Sequence, residues 1–471
     1  MGKCLGPFTF VVSLGLSAAC GEPGPIYAGG GPTAVRVDSE PPGAHCQAGG
    51  AAIHTGPDLD GDGYLDDAEI TTTQYVCNGV TPVQCGGGTI VTGTIVVASA
   101  AELAPLASAN CVEGDLVIAG SDATELTLPS LGIVTGDVVI AGNPGLTSLA
   151  GLSALREVGR RVLVQGNESL VDLGTLGALE RAEAVVIVGN DALPDLGGLD
   201  GLTQTAITLT VSNNGGLTSL AGLDNLTATT RTITITGNRS LVDASALAQL
   251  RTVVLLDLSG NVALPALALP SLEKVDVRLI LDGNPALASL DLPALATVGG
   301  FLRLDGAASL VSLDLPALLT INSLLVSNDA VLQRISAPRL TFATQSVELV
   351  GLPRLGSVDF PLLRSATTAI VLRQLGRLPD LRGFPELAAV GGAVTVTANP
   401  MLTSFAGLGA LTTISGDLAI TGNTALTSLT GLDGLAEVGA DLTITGNPNL
   451  PPTQAQALAA RVTVHGTTTL D

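Results

Sequence analysis

The pair Gly-Asn returns along this chain at a nearly constant interval. Its Asn residues are Asn143, Asn167, Asn190, Asn214, Asn238, Asn261, Asn284, Asn399, Asn423 and Asn447, with Asn213 in place of the Gly before Asn214 and Ala398 in place of the Gly before Asn399. Clean neighbours stand 23 or 24 residues apart, as from Asn167 to Asn190 and from Asn143 to Asn167. A fixed period in this range constrains the chain to a solenoid. One such repeat cannot bury its own apolar face, and stacking makes the core. After each Asn, Leu recurs in steps of three, as at Leu146, Leu149, Leu152 and Leu155, or Leu426, Leu429, Leu432 and Leu435. That step fits neither a helix nor a long strand. It suits a coil that keeps turning, with one inward Leu per short segment. Before each Asn lies a short alternating run, such as Val138 and Ile140 or Leu442 and Ile444. These runs read as strands that stack, coil on coil, into a parallel sheet.

Gly and Asn tolerate positive φ best, so the pair ends each strand at a corner. A buried amide without partners is costly. The recurrence therefore predicts an internal Asn ladder rather than a row of surface turns, since a surface turn accepts Asp or Ser as readily. Two coil types are present. One closes with Gly-Leu-x-x-Leu, as at Gly151, Leu152 and Leu155. The other closes with Leu-Pro-x-Leu, as at Leu269, Pro270 and Leu272, and occupies roughly 264 to 363. Pro lacks a donor and fixes φ, which places it at a corner. From about Asp115 to Leu450 the pattern predicts some fourteen coils. At about 4.8 Å per coil the rod would be roughly 65 Å long. The fold class expected is all-β, a right-handed parallel β-helix of leucine-rich-repeat type with short helical caps.

Net charge is −22, with Lys only at Lys3 and Lys274. That balance argues against nucleic-acid binding through phosphate neutralisation and against docking on anionic lipid. No apolar run is long enough to span a membrane. Residues 1–20 read as an export signal: Lys3, an apolar stretch from Phe8 to Leu16, then small Ser17, Ala18 and Ala19. Cys20 follows, and the segment resembles the lipobox of bacterial lipoproteins, which implies a lipid on Cys20. Cysteine parity agrees. Removal of the signal takes Cys4 and leaves Cys20, Cys46, Cys77, Cys85 and Cys111. If Cys20 carries lipid, the other four form two disulfides. Proximity suggests Cys46–Cys77 and Cys85–Cys111, among three connectivities. Residues 21–34, rich in Gly and Pro, suit a flexible tether.

Within a small module at 35–84 stands the run Asp58 to Glu69, DLDGDGYLDDAE. Asp58, Asp60 and Asp62 fill positions 1, 3 and 5 of an EF-hand loop, with Gly63 at 6. Tyr64 offers its carbonyl at 7, Asp66 fills 9 and Glu69 the bidentate place at 12. Calcium needs six to eight hard oxygens, and this many carboxylates repel one another without an ion. The flanks are not helical: Gly56 and Pro57 precede the loop, and the residues from Ile70 to Val76 read as a strand. The expectation is a structural calcium site. Val35 to Gly79 resembles a small uncharacterised module of bacterial surface proteins through Pro42-Gly43, Cys46, Gly49-Gly50, Ile53, the loop, and Tyr75-Val76-Cys77-Asn78-Gly79. The resemblance implies a location, not an activity.

Residues 85–113 read as an amino-terminal cap, with Ser99 and Glu102 as a capping box. Residues 114–450 hold the coils, and 451–471 a closing cap with a helix over Pro452 to Arg461. The order Ser99, Leu103, Leu106, Cys111, Gly114-Asp115-Leu116 and the Gly-Asn-x-x-Leu coils is similar to the receptor L-domain family, over roughly 90 to 465. That likeness implies recognition of a protein or glycan at the cell surface, and it carries no ligand residues over. Plain leucine-rich repeats are the near alternative, fitted by Leu256, Leu258, Asn261 and Leu264.

His occurs only at His45, His54 and His465, none within the coils. No Ser-His-Asp or Cys-His site is expected on the rod. Carboxylate-based cleavage of polysaccharides is the enzymatic alternative, weakened by the few aromatics: Phe301, Phe342, Phe360, Phe384 and Phe405, all expected in the core. Between about 330 and 391 the Asn column fails and Arg gathers. Arg354, Arg364, Arg373 and Arg377 are the candidate patch for an acidic ligand; scattered solvated Arg is the plain alternative. The function expected is adhesion or ligand recognition by an exported, lipid-anchored protein at the outer membrane or cell surface, with calcium as cofactor. A structural envelope spacer is its rival.

Overall fold

The computed structural model describes residues 26–28, 34–40, 50–56, 70, 72–77 and 83–471, apart from 175, 203, 206, 207, 230 and 231. The chain divides into two compact units, 1–82 and 83–471. In the first, the strands Ile26–Ala28, Ala34–Glu40, Gly50–Gly56 and Thr72–Cys77 pair antiparallel in that order. The stretch read as a tether thus carries the strand Ile26–Ala28. His54 stands opposite Thr73, with Nδ1 2.8 Å from the Thr73 hydroxyl. Thr55 pairs with Thr72, so strands rather than helices flank the acidic loop. The loop itself, Asp58 to Glu69, lies outside the described residues. So do the signal segment, Cys20 and Cys46, and with Cys46 the expected Cys46–Cys77 bridge.

The second unit is a parallel β-solenoid of about 16 stacked coils. One long sheet runs its length. It starts at Ile95–Val97, continues through Leu116–Ala119, Val138–Ala141 and Arg161–Gln165, and ends at Leu442–Thr445 and Thr468–Leu470. Successive strands pair in register, Val138 with Val162 and Ile140 with Val164. The alternate residues Val138, Ile140, Val162 and Val164 are fully buried. At about 4.8 Å per step this unit is roughly 75 Å along its axis.

Two expectations change. The coils number more than fourteen, and they begin inside the predicted cap: Ile90–Thr92, Ile95–Val97 and Cys111–Glu113 are already rungs of the stack. The first coils carry no Asn at the corner, so the marker used to count them is missing there. The disulfide Cys85–Cys111 ties the lead-in segment to one of these early rungs. At the far end the helix Pro452–Arg461 forms as expected, and a further rung, Thr468–Leu470, follows it. The Arg461 guanidinium donates to the carbonyls of Leu432, Asp433 and Leu435, satisfying corner groups that no following coil covers. The helix at Ala100–Leu106 is a 3-10 helix, and Ser99 makes no side-chain cap. Asp122 of the next coil takes the Ala100 amide instead, at 2.8 Å, while Glu102 accepts from Ala98 at 2.6 Å.

The step-of-three Leu residues all point inward; Leu146, Leu149, Leu152 and Leu155 are fully buried. The two coil types differ on the face opposite the long sheet. In the Leu-Pro coils and the two that follow, whose corners are Ala337-Pro338 and Phe360-Pro361, the residues before the corner pair into short ladders: Ala266–Ala268 with Ser289–Asp291, and Arg334–Ser336 with Ser312–Asp314 on one side and Ser357–Asp359 on the other. In Gly-Leu coils only single bridges form there, such as Ser148 with Asp172.

The Asn ladder is internal. Asn143, Asn167, Asn190, Asn214, Asn238 and Asn261 are completely buried. Asn167 shows the pattern: its Oδ1 accepts from the Asn143 amide at 3.0 Å, and its Nδ2 donates to the Ile140 carbonyl at 3.0 Å. Each side chain therefore satisfies two backbone groups of the coil before it. A left-handed residue precedes each rung, Gly142 at φ 61° before Asn143. The column continues through the coils that lack Asn, where Gly306, Asn328, Gly351 and Gln374 hold the same left-handed backbone before Ala307, Asp329, Leu352 and Leu375.

Candidate functional site

Each strand of the long sheet turns alternate side chains outward. In Thr232–Thr236 these are Thr232, Thr234 and Thr236; in Ala393–Thr397 they are Ala393, Thr395 and Thr397. Small and β-branched residues at such places need no function, because they favour an exposed strand. The middle of the sheet departs from this pattern. The strands Lys274–Ile280 and Thr297–Asp305 present Arg278, Phe301, Arg303 and Asp305, and Asp282 follows the first of them.

Arg278 stands opposite Phe301 in the ladder, its guanidinium 5.1 Å from the ring centroid. Arg303, two residues beyond Phe301, places its guanidinium 5.6 Å from the same ring. Each contact of this kind contributes about 0.5–2 kcal/mol and orients the cation. Arg303 Nε also donates to Asp282 Oδ2 at 2.5 Å. The other oxygen of Asp282 is buried and accepts no hydrogen bond. Ile280 lies opposite Arg303 and is buried although it points outward. Asp305 is engaged by Ser327 Oγ at 2.5 Å and Asn328 Nδ2 at 2.7 Å. Among the described residues Arg278 has no ion pair. The cluster thus holds one exposed guanidinium without an ion pair, oriented by the Phe301 ring beside it. It can give hydrogen bonds to an anion.

The predicted arginines divide. Arg373 is on the outer sheet face, at the end of Ala369–Leu375 and paired with Val350 and Thr397. Arg354 and Arg377 occupy the turns that follow this face in adjacent coils, where the Arg377 amide donates to the Leu355 carbonyl at 3.2 Å. All three are exposed. Arg364 belongs to another face, half a coil away, its amide bonded to the Thr341 carbonyl. The four do not form one patch, because the coil turns between residue 354 and residue 364. Of the other arginines in that stretch, Arg334 pairs with Asp314 at 2.6 Å and Arg382 with Asp380 at 3.5 Å.

The expectation that every Phe of the rod is core also changes. Phe360, Phe384 and Phe405 are buried, but Phe301 is half-exposed on the sheet face and Phe342 is exposed. Strand phase carries the missed signal: Leu302 and Leu304 point inward, which sends Phe301, Arg303 and Asp305 out. A second charged group, at the start of the rod, is closed on itself. Arg160 reaches Asp115 at 2.5 Å and Asp137 at 3.7 Å. The Asp137 amide, foremost, and then Arg160 hold the Asp115 carboxyl below its ordinary range.

Residues 33–77 match DUF7151, a domain of unknown function. The DUF7151 segment holds three of the four strands of the first unit, from Ala34 to Cys77, together with the acidic loop. No curated protein sequence matches the chain. Among solved structures, a leucine-rich repeat protein from Bacteroides ovatus ATCC 8483 is 13% identical. The match covers 63% of this chain and 82% of that one, with a TM-score of 0.26. TLR13 in complex with ssRNA13 is 14% identical over 74% of this chain and 64% of that one, with a TM-score of 0.21.

Proposed function

We propose that the solenoid is the ligand-recognition scaffold of an exported protein, and that it binds through the outer face of the long sheet around Phe301. The observation that carries this reading is an exposed, unneutralised guanidinium, Arg278, set against the half-exposed ring of Phe301 on the sheet face. An acidic saccharide fits both groups, with its carboxylate or sulfate on Arg278 and an apolar ring face on Phe301. At −22 overall the distant field of the protein repels such a ligand. Recognition then rests on contacts closer than the Debye length of about 8–10 Å.

The test is retention of the mature full-length chain on acidic and neutral polysaccharides. Saturable binding to an acidic one is expected. Arg278→Ser should weaken it about tenfold or more, since a charge-assisted hydrogen bond is worth about 1.5–3 kcal/mol. A purely structural spacer would show no saturable binding, and equal retention of the variant and the wild type would remove this site.

The export reading extends to lipid on Cys20. Cys85 and Cys111 are bonded to each other. Cys46 and Cys77 are then left as a pair, with Cys20 over. Mass spectrometry of protein expressed with its leader in a bacterium should find acyl-glyceryl mass on Cys20, absent from Cys20→Ser. An unmodified Cys20 thiol would sink the idea. The loop from Asp58 to Glu69 completes the reading as a calcium site, with oxygens from Asp58, Asp60, Asp62, Tyr64, Asp66 and Glu69.

A further inference from the structure

Asp329 occupies an Asn place. It follows left-handed Asn328 at φ 58°, as Asn143 follows Gly142. Its side chain is fully buried, and neither carboxylate oxygen has a hydrogen-bond partner. Elsewhere in the column the amide does two things at once. Asn214 accepts from the Asn190 amide at 2.9 Å and donates to the Ile187 carbonyl at 3.0 Å. The groups at those places before Asp329 are the Ala307 amide and the Leu304 carbonyl. A carboxylate can accept from the first but has nothing to donate to the second. A protonated carboxyl has one acceptor and one donor, as an amide does.

The neighbours offer no compensation. Ala307 in the coil before and Leu352 in the coil after have no polar side chain. No cation pairs with Asp329 among the described residues. Asp305, on the preceding coil, is the charged group that acts on it, and it has the same sign. Arg354, in the turn of the following coil, is exposed.

We propose that Asp329 is a proton switch in the middle of the solenoid: neutral, it completes the ladder, and ionised, it loosens the coils from Ala307 to Leu352. Burial pushes its carboxyl up to about 7, and Asp305 adds to the rise; the Ala307 amide pulls the other way, although it is not in hydrogen-bond geometry with either oxygen. The sign follows from linkage. In the unfolded chain this carboxyl ionises near its ordinary value of 3.8, while in the fold it keeps its proton to about 7. Between those limits the folded state binds one more proton. Stability therefore falls as pH rises through the interval, by about tenfold in the unfolding constant per pH unit, and levels off above it.

The experiment compares the mature full-length chain with Asp329→Asn in the same buffer and at the same calcium concentration. Unfolding is measured for both proteins at about pH 6 and about pH 8.5, and the difference between them isolates the one substituted group. The wild type should weaken at the higher pH. The variant should not, and should be the more stable of the two there. Infrared absorption supplies a readout that needs no variant: a protonated-carboxyl band should be present in the wild type at the lower pH and fade through neutrality. Equal alkaline weakening of both proteins, or no carboxyl band titrating near neutrality, would overturn the proposal. Because Asn fills this place in other coils of the same solenoid, up to Asn284 and again from Asn399, Asp329→Asn should fold.

Discussion

Asn238→Ala is expected to lower the stability of the solenoid by about 2–5 kcal/mol. Asn238 Oδ1 accepts from the Asn214 amide at 3.0 Å, and its Nδ2 donates to the Val211 carbonyl at 3.0 Å. Truncation leaves both backbone groups dry and unpaired, at a cost of about 1–3 kcal/mol each. Water cannot replace the amide, because Val211, Ile235 and the rung itself are sealed in the core. In a repeat stack each coil is held only by its neighbours, so the loss falls on the coils between Asn214 and Asn261. Urea unfolding followed by circular dichroism measures it, with Thr234→Ala on the outer face as the control. That control should stay within about 0.5 kcal/mol of the wild type. An Asn238→Ala protein as stable as the control would show that the ladder is incidental to the fold.

Calcium should bind once, with a dissociation constant of about 0.1–1 mM, and binding should vanish in an Asp58→Ala, Glu69→Ala variant. The argument rests on charge and on connection. Six carboxylates stand within the run from Asp58 to Glu69, five of them at ligand positions. The strands on either side, Gly50–Gly56 and Thr72–Cys77, are paired up to Thr55 and Thr72, so both ends of the connection are anchored to one sheet. A bound cation removes the repulsion that closing such a run would otherwise cost. At about thirty times the dissociation constant, the ion should stabilise this unit by about 2 kcal/mol. Calorimetric titration measures the affinity, and thermal unfolding with and without calcium measures the coupling. No heat and no shift would reduce the loop to an acidic turn.

The solenoid was legible because its period is printed in side chains that cannot be exchanged freely. Asn167 is held to Asn because its amide both accepts and donates at that corner whatever the pH. Leu146, Leu149 and Leu152 must be apolar, since nothing else fills the stack. The coil count was less legible for the same reason. At Ala307, Leu352 and Leu375 the amide is gone, and what persists is a backbone state, seen in Gly306, Gly351 and Gln374. A left-handed corner accepts Gly, Asn, Gln or Ala here, as Ala398 at φ 55° shows, so sequence identity does not mark it.

The outer-face cluster was harder still. Phe301 and Phe360 are the same residue type in similar surroundings of Leu. One is out and the other in because of strand phase alone. The three-dimensional register also sets which arginines meet. Arg278 and Phe301 are a coil apart in sequence yet opposite each other, whereas Arg354 and Arg364, close in sequence, lie on different faces.

The most direct test of recognition at this face is an equilibrium binding isotherm on the acidic polysaccharide that the wild type retains. It would be measured for the wild type, for Phe301→Ala, and for Arg373→Ser combined with Arg377→Ser. Phe301→Ala removes the ring that holds both guanidinia. The account predicts that this variant binds about tenfold more weakly, at an unfolding midpoint close to that of the wild type, while the arginine pair variant is little changed. Unchanged affinity in Phe301→Ala, with binding lost in the pair variant, would contradict it and place recognition at the turn beyond the sheet.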